Sequence, residues 1–288
     1  MPLAFLLFLA MFISYNGKIR PADEPVLLAA NRGYRYGDGL FETLLVDKGN
    51  IRLADLHFKR LLKGLQLLKF DIPGLFSTGK LITDILHLAE KNAVNELGRV
   101  RLSVFRGNGG LYDTDRHLQY LIECWPLAYH FRRLNENGLE IGLYPDACKQ
   151  IGLFSGLKTA SFLPYTMASI YAKENKLNDC LLLNNEGHIA DSTIANLFIF
   201  RNDQFITPGP AQGAVDGVMR TYLVREMRAA GYTVHESPVT VSELEAAEEV
   251  FLSNAIQGIR WVNRFRDSTY GNHRTAGVFS KFLQTIPR

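Results

Sequence analysis

The chain has 288 residues, 47% of them hydrophobic and 21% charged, with 32 basic against 29 acidic side chains and a formal net charge of +3. That is enough apolar material to bury a core in one large or two medium domains, and it excludes a disordered chain. A charge so nearly balanced and so evenly scattered leaves no footprint for nucleic acid; it points to a small metabolite, and the slight positive excess suits an anionic one.

The first segment, MPLAFLLFLAMF, is too short to span a bilayer, and it lacks the basic start and small-residue cleavage site of a secretory signal. No membrane partner is expected, and residues 1–10 read as a dispensable extension ahead of a domain that begins at Met11. FISY, the Asn16-Gly17 turn and KIR read as a hairpin. FETLLV at 41–46 reads as a strand that turns through Asp47-Lys48-Gly49-Asn50 into a second strand, IRLA. Asp55 is expected to cap a helix whose apolar positions Phe58, Leu61, Leu62, Leu65 and Leu68 keep helical spacing. A further helix is expected at 78–94. Residues 99–106 alternate, with Val100, Leu102 and Val104 on a core face and Arg101, Ser103 and Phe105 on a face that can line a site. LQYLIECW closes this smaller N-terminal domain, 11–126, and residues 127–137 connect it to a larger C-terminal domain, 138–288.

In the second half, strands are expected at 139–144, 179–184 and 194–200, with helices at 164–177 and 215–230. Ser242 with Glu245 forms an expected capping box ahead of the strand EEVFLS. No βαβ rhythm appears, so the fold class is α+β, two mixed lobes in place of a doubly wound parallel sheet. Cys124, Cys148 and Cys180 form no CxxC pair and read as reduced thiols of a cytoplasmic protein. The histidines show no ligand spacing, so no metal is expected. P-loop, GxSxG and GxGxxG patterns are missing as well.

Four segments together carry chemistry: NRGYRYGDGLFET at 31–43, DLHFKRLL at 55–62, LKTASFLPY at 157–165, and GHIADSTIANLFIF followed by GAVDGVMR. In that order they resemble the class IV aminotransferase family, enzymes of pyridoxal 5'-phosphate (PLP) fold type IV. The resemblance implies that Lys158, which by itself would read as a surface charge, is the catalytic residue and carries PLP as a Schiff base. It implies a carboxylate beside the pyridine nitrogen, which here is Asp191 where the family has glutamate. Arg60 and the Gly217-Val218-Met219-Arg220 segment match the phosphate site, with backbone N–H groups of Val218 and Met219 as donors. Asn196 and Asn254 match further cofactor-binding positions. Arg101, Glu42 and Tyr36 match pocket-facing positions toward the substrate, Arg101 as a carboxylate clamp. Asp38, between Gly37 and Gly39, reads as a turn residue. A homodimer acting on a small-molecule amino substrate is also implied.

Three activities share this resemblance: branched-chain aminotransferase, D-amino-acid aminotransferase and 4-amino-4-deoxychorismate lyase. Fold does not choose among them. The segment Ser253-Asn254-Ala255-Ile256-Gln257-Gly258-Ile259-Arg260 and the Arg106-Gly107-Asn108-Gly109-Gly110 turn are closer to the lyases. Leu111, where some lyases place an arginine, counts the other way. The expectation is therefore a lyase of folate synthesis first and a transaminase second. A non-catalytic metabolite-binding protein stands third, kept open by Asp191.

Overall fold

The computed structural model describes residues 11–113, 115–129, 133–284 and 286; the reading of residues 1–10 as an extension lies outside them. The chain divides into two compact units. One holds the described residues up to Ala128 together with Lys158–Ser161, and the other holds Tyr129–Leu157 and the residues from Phe162 onward.

The first unit begins with the hairpin β1 (Phe12–Tyr15) and β2 (Lys18–Pro21). Its turn puts both Asn16 (φ 50°) and Gly17 (φ 80°) in the left-handed region, the geometry that matches the twist of a two-residue hairpin. There follow α1 (Arg32–Tyr36), β3 (Gly39–Asp47), β4 (Asn50–Ile51), α2 (Ala54–Leu67), α3 (Thr78–Lys91), β5 (Leu97–Arg106) and β6 (Leu118–Pro126). Among the described residues the strands form an antiparallel sheet in the order β2-β1-β6-β5-β3-β4. Helices α2 and α3 pack on it, burying Phe58, Leu61, Leu65, Leu81, Ile85 and Leu88, while Val100, Leu102 and Val104 are fully buried in β5. Arg101 and Ser103, which alternate with these, keep partial exposure. Phe105 does not: α1 covers it, and a Cβ on Gly33 would stand 2.8 Å from the Phe105 Cβ. Helix α2 also starts differently from expectation. Its N-cap is Leu53, at φ 54° and without a side-chain cap, and Asp55 lies inside the first turn, where its charge favours the helix dipole without capping.

Asp38 is more than a turn residue. Its carboxylate accepts from Arg32 Nε at 3.0 Å and from the Arg106 guanidinium, which also donates to the Leu68 carbonyl. Arg32 donates in addition to the Asp113 carbonyl at 2.8 Å. One carboxylate thus ties the start of β3 to the end of β5 and, through Arg32, to the turn that follows it.

The second unit contains β7 (Leu139–Lys149), α4 (Leu163–Glu174), β8 (Asp179–Asn184), β9 (Ile189–Ser192), β10 (Asn196–Arg201), β11 (Gln204–Thr207), α5 (Val218–Ala229), β12 (Val234–Glu236), α6 (Val241–Glu245), β13 (Glu249–Asn254), β14 (Gly258–Phe265), β15 (Ser268–Thr269) and α7 (His273–Val278). The strands form a mixed sheet in the order β12-β11-β10-β13-β14-β7-β8-β9, with β15 paired to β14. Its parallel pairs are β11 with β12, β14 with β7, and β7 with β8. Ile141, Leu181, Leu197, Ile199, Val250, Leu252, Val262 and Phe265 form one buried cluster. Strand β7 runs past the expected 144, through a register shift between Leu143 and Cys148, and so carries Lys149 into the sheet.

Helix α6 is capped one frame earlier than expected. Two S/T-x-x-E patterns overlap here; Thr240 with Glu243 forms the box, Glu243 N donating to Thr240 Oγ1 at 3.1 Å and Thr240 N donating to Glu243 Oε2 at 2.8 Å. Thr240→Ala is expected to cost about 1 kcal/mol in chemical denaturation, and Ser242→Ala less than about 0.5 kcal/mol. A larger loss at Ser242 would contradict the frame seen here.

Candidate active site

The residues singled out from the sequence fall into two groups, one in each unit. In the first unit the segment Lys158–Ser161 lies along β3. Phe41 N donates to the Lys158 carbonyl and Ala160 N to the Gly39 carbonyl, each at 2.9 Å, around a bridge between Leu40 and Thr159. Lys158 is thereby fixed beside Phe41, with Nζ 4.5 Å from the ring centroid, and the Arg101 guanidinium stands 3.8 Å from the same centroid. Two cations gather on one aromatic ring, an arrangement that suits an anionic ligand. Arg101 also donates to Ser103 Oγ at 3.1 Å.

Glu42 follows directly on β3. It is 1% exposed and accepts from Arg60 Nε at 2.8 Å, Arg60 Nη2 at 2.5 Å and His57 Nδ1 at 2.7 Å. Burial by itself would push this carboxyl up, but the Arg60 charge and the hydrogen bonds from His57 and Arg60 bring it down to about 2. Both its oxygens are engaged inside the unit. Glu42 is therefore the residue that orients Arg60, and not the substrate-facing group expected from the sequence. Burial lowers the His57 pKa, the Glu42 hydrogen bond opposes that shift, and the nearby Arg60 and Lys158 charges add to it. Imidazole Nδ1 is then the donor to Glu42, and the buried Nε2 has no hydrogen-bond partner among the described residues. Tyr36, at the end of α1, is 45% exposed.

In the second unit Asp191 lies on β9 and is 2% exposed. Its Oδ2 accepts from Lys149 Nζ at 3.1 Å, from Tyr165 Oη at 2.9 Å and from Val215 N at 2.9 Å, while Oδ1 accepts from Tyr165 at 3.2 Å. Lys149 also donates to the Tyr165 hydroxyl. Burial and the Asp191 charge hold the Tyr165 phenol well above its ordinary pKa, so it stays protonated. Sequence reasoning missed both side-chain partners of Asp191. Tyr165 closes the LKTASFLPY motif and could have been found there, whereas Lys149 lies in no motif and needed the β7 register shift to reach the carboxylate.

Asn196 Nδ2 donates to the Val215 carbonyl at 2.9 Å, so the loop that leads to α5 is held by Asp191 at one group and Asn196 at another. Gly217, the N-cap of α5, adds no side-chain hydrogen bond to that helix. A Cβ there would stand 1.7 Å from Asn196 Oδ1, so any side chain at this position would displace Asn196. Val218 and Met219 form the first turn of α5. Asn254 is placed differently from a ligand: its Oδ1 accepts from Ile256 N at 3.0 Å and Gln257 N at 2.7 Å, shaping the turn between β13 and β14.

Comparison with known proteins bears on the family of the chain. Residues 39–265 match the family model for amino-transferase class IV. The aminodeoxychorismate lyase of Vibrio harveyi is 25% identical over 232 residues, 80% of this chain and 83% of that protein. The D-alanine aminotransferase of Bacillus licheniformis is 24% identical over 282 residues, 96% and 95% of the two chains. In structure, the chain is similar to the PLP-bound form of a hypothetical aminotransferase from Mycobacterium tuberculosis, with a TM-score of 0.82 at 19% identity over 96% of this chain and 98% of that one. With the family model covering most of its length and its two sheets matching the family's fold, the chain belongs to the class IV aminotransferases.

Proposed function

We propose that the protein is a PLP-dependent lyase that releases pyruvate and 4-aminobenzoate from 4-amino-4-deoxychorismate. The observation that carries the cofactor is the state of Asp191: a buried carboxylate whose Oδ2 takes three donors while Oδ1 takes one, which leaves capacity for a protonated ring nitrogen. The cradle at Gly217 supports it, because an uncapped helix start closed to any Cβ suits a phosphate. Lys158 would be the amine that bonds the cofactor, Arg60 and the amides of Val218 and Met219 would hold the phosphate, Asn196 and Asn254 would shape loops near it, and Asp191, held by Lys149 and Tyr165, would serve the ring nitrogen. When bound, PLP supplies an electron sink for a bond broken beside the substrate's amine.

Once the substrate's amine has taken its place, the freed Lys158 Nζ would take the proton from the amine-bearing carbon. The electron pair left there would become the new double bond of the aromatic ring as the enolpyruvyl oxygen leaves with the electrons of its own bond to the ring, that oxygen would take the proton back from Lys158, and the enol would tautomerise to pyruvate. Arg101 clamps a substrate carboxylate and Tyr36 borders the substrate. The lyase reading draws on the Asn254 to Arg260 segment, on the Arg106-Gly107 turn and on the Vibrio harveyi relative. A second reading, class IV transaminase on branched-chain or D-amino acids, draws on the Bacillus licheniformis relative. The same assignment carries a cytoplasmic homodimer. Leu163, Met167 and Ile170 support self-association, since they leave one stripe of α4 apolar and exposed.

Purified, PLP-loaded protein given aminodeoxychorismate is expected to release 4-aminobenzoate and pyruvate in equal amounts, and Lys158→Ala to lose both turnover and the visible absorbance of lysine-bound cofactor. Pyridoxamine phosphate accumulating with amino acids, and no 4-aminobenzoate, would make it a transaminase; full turnover by Lys158→Ala would overturn both readings.

The Glu42 carboxylate yields a separate expectation. Its folded value, about 2, is below its ordinary 4.5, so the stability it contributes is complete above about pH 4.5 and is lost as the pH falls toward 2, on the order of 3 kcal/mol in all. Urea unfolding across that window should fall more steeply for the wild type than for Glu42→Gln; equal slopes would contradict the ion pair.

A further inference from the structure

Helix α5 begins with an uncapped turn, and a buried hydroxyl sits in the sheet beneath it. Ser253 is 1% exposed, and its Oγ has no hydrogen-bond partner among the described residues. An unpaired buried hydroxyl destabilises a fold, so one that is kept calls for a partner that completes it. Its surroundings say what that is. Ser253 on β13 lies directly opposite Asn196 on β10, and residues paired in this way raise their side chains on the same face. The next pair of that parity, Phe198 and Phe251, confirms the face by stacking at 4.6 Å between centroids. The intervening residues Leu197 and Leu252 belong to the core cluster on the opposite side. Helix α5 packs against β13, and Asn196 reaches the α5 loop directly, donating to the Val215 carbonyl and abutting Gly217. Ser253 is thus the neighbour of the side chain that props the start of α5.

We propose that Ser253 is a further ligand of an anionic phosphate group at the start of α5, its hydroxyl donating to a phosphate oxygen alongside the first amides of the helix. The inference rests on the proposed use of a phosphate-bearing cofactor and adds a residue to it. The chemistry is that of a neutral donor: Ser253 contributes no charge, so it sharpens the fit to a phosphate that the helix amides attract.

The test compares full-length wild type with Ser253→Ala and Ser253→Gly, each freed of cofactor and titrated with PLP and, separately, with pyridoxal, which lacks the phosphate; binding is followed by visible absorbance. Without ligand, Ser253→Ala should melt at the same temperature as the wild type or higher, because an orphaned hydroxyl has been removed. With PLP, both variants should bind about tenfold or more weakly, while their affinity for pyridoxal stays at the wild-type value. Equal PLP affinity in wild type and variants, or parallel losses for PLP and pyridoxal, would overturn the assignment. Ser253→Gly decides the question if the alanine variant does not fold. Wild type that binds neither compound would instead overturn the cofactor reading on which the inference stands.

Discussion

The placement of Lys158 depends on an edge of β3 that its own neighbour does not cover. Strand β4 is two residues long and pairs only with Val46 and Asp47, so the backbone groups at Gly39 and Phe41 remain for another segment. A buried strand edge with unpaired N–H and C=O groups is costly, and the chain meets that cost by returning residues 158–160 to it. The lysine is consequently held by backbone hydrogen bonds on a rigid sheet and not by a loop. Its neighbours are fixed by the same strand, since Phe41 and Glu42 project from successive positions of β3. Phe41 gathers the Lys158 and Arg101 cations, and Glu42 orients Arg60.

The charges around these residues follow one rule: each of the three shielded carboxylates that bear on the site has a cation and at least one further donor. Glu42 has Arg60 and His57, Asp38 has Arg32 and Arg106, and Asp191 has Lys149, Tyr165 and an amide. Removing one partner from such a pair leaves the other charge buried, which destabilises far more than the pair itself contributes. Asp191, on its short side chain, is held by Lys149, Tyr165 and the Val215 amide. A group fixed that firmly keeps its direction without help from side-chain length.

Much of this can be read from residue order. Alternation in 99–106 and the helical spacing of Phe58, Leu61 and Leu65 locate the elements that carry Arg101 and Arg60, because burial there obeys local periodicity. What escapes is decided by partners distant in sequence. Lys149 joins Asp191 only through a shift of register inside β7, and Asp38 looks like a turn residue because its two arginines enter from α1 and from the end of β5. Glu42 points to the substrate in sequence because its motif faces the pocket in the resemblance; its full burial against Arg60 and His57 is invisible in one dimension. Where two capping patterns overlap, at Thr240 and Ser242, local sequence offers no way to prefer one frame.

The join between β14 and β7 has a bearing on how the chain reaches this state. Val262 pairs with Leu139 in parallel, a contact spanning about 120 residues; in the first unit the pairing of β1 with β6 is of similar range, while its other strand pairs lie closer in sequence. Pairings of such long range form late, because the loop must close before any contact rewards it. During synthesis the first sheet can assemble from early segments, yet it gains its lysine only when residue 158 has emerged, and the second sheet stays open until β14 arrives. Until β14 arrives, the edge of β7 that it will cover stays unpaired, and an open strand edge is the kind of surface on which newly made chains associate.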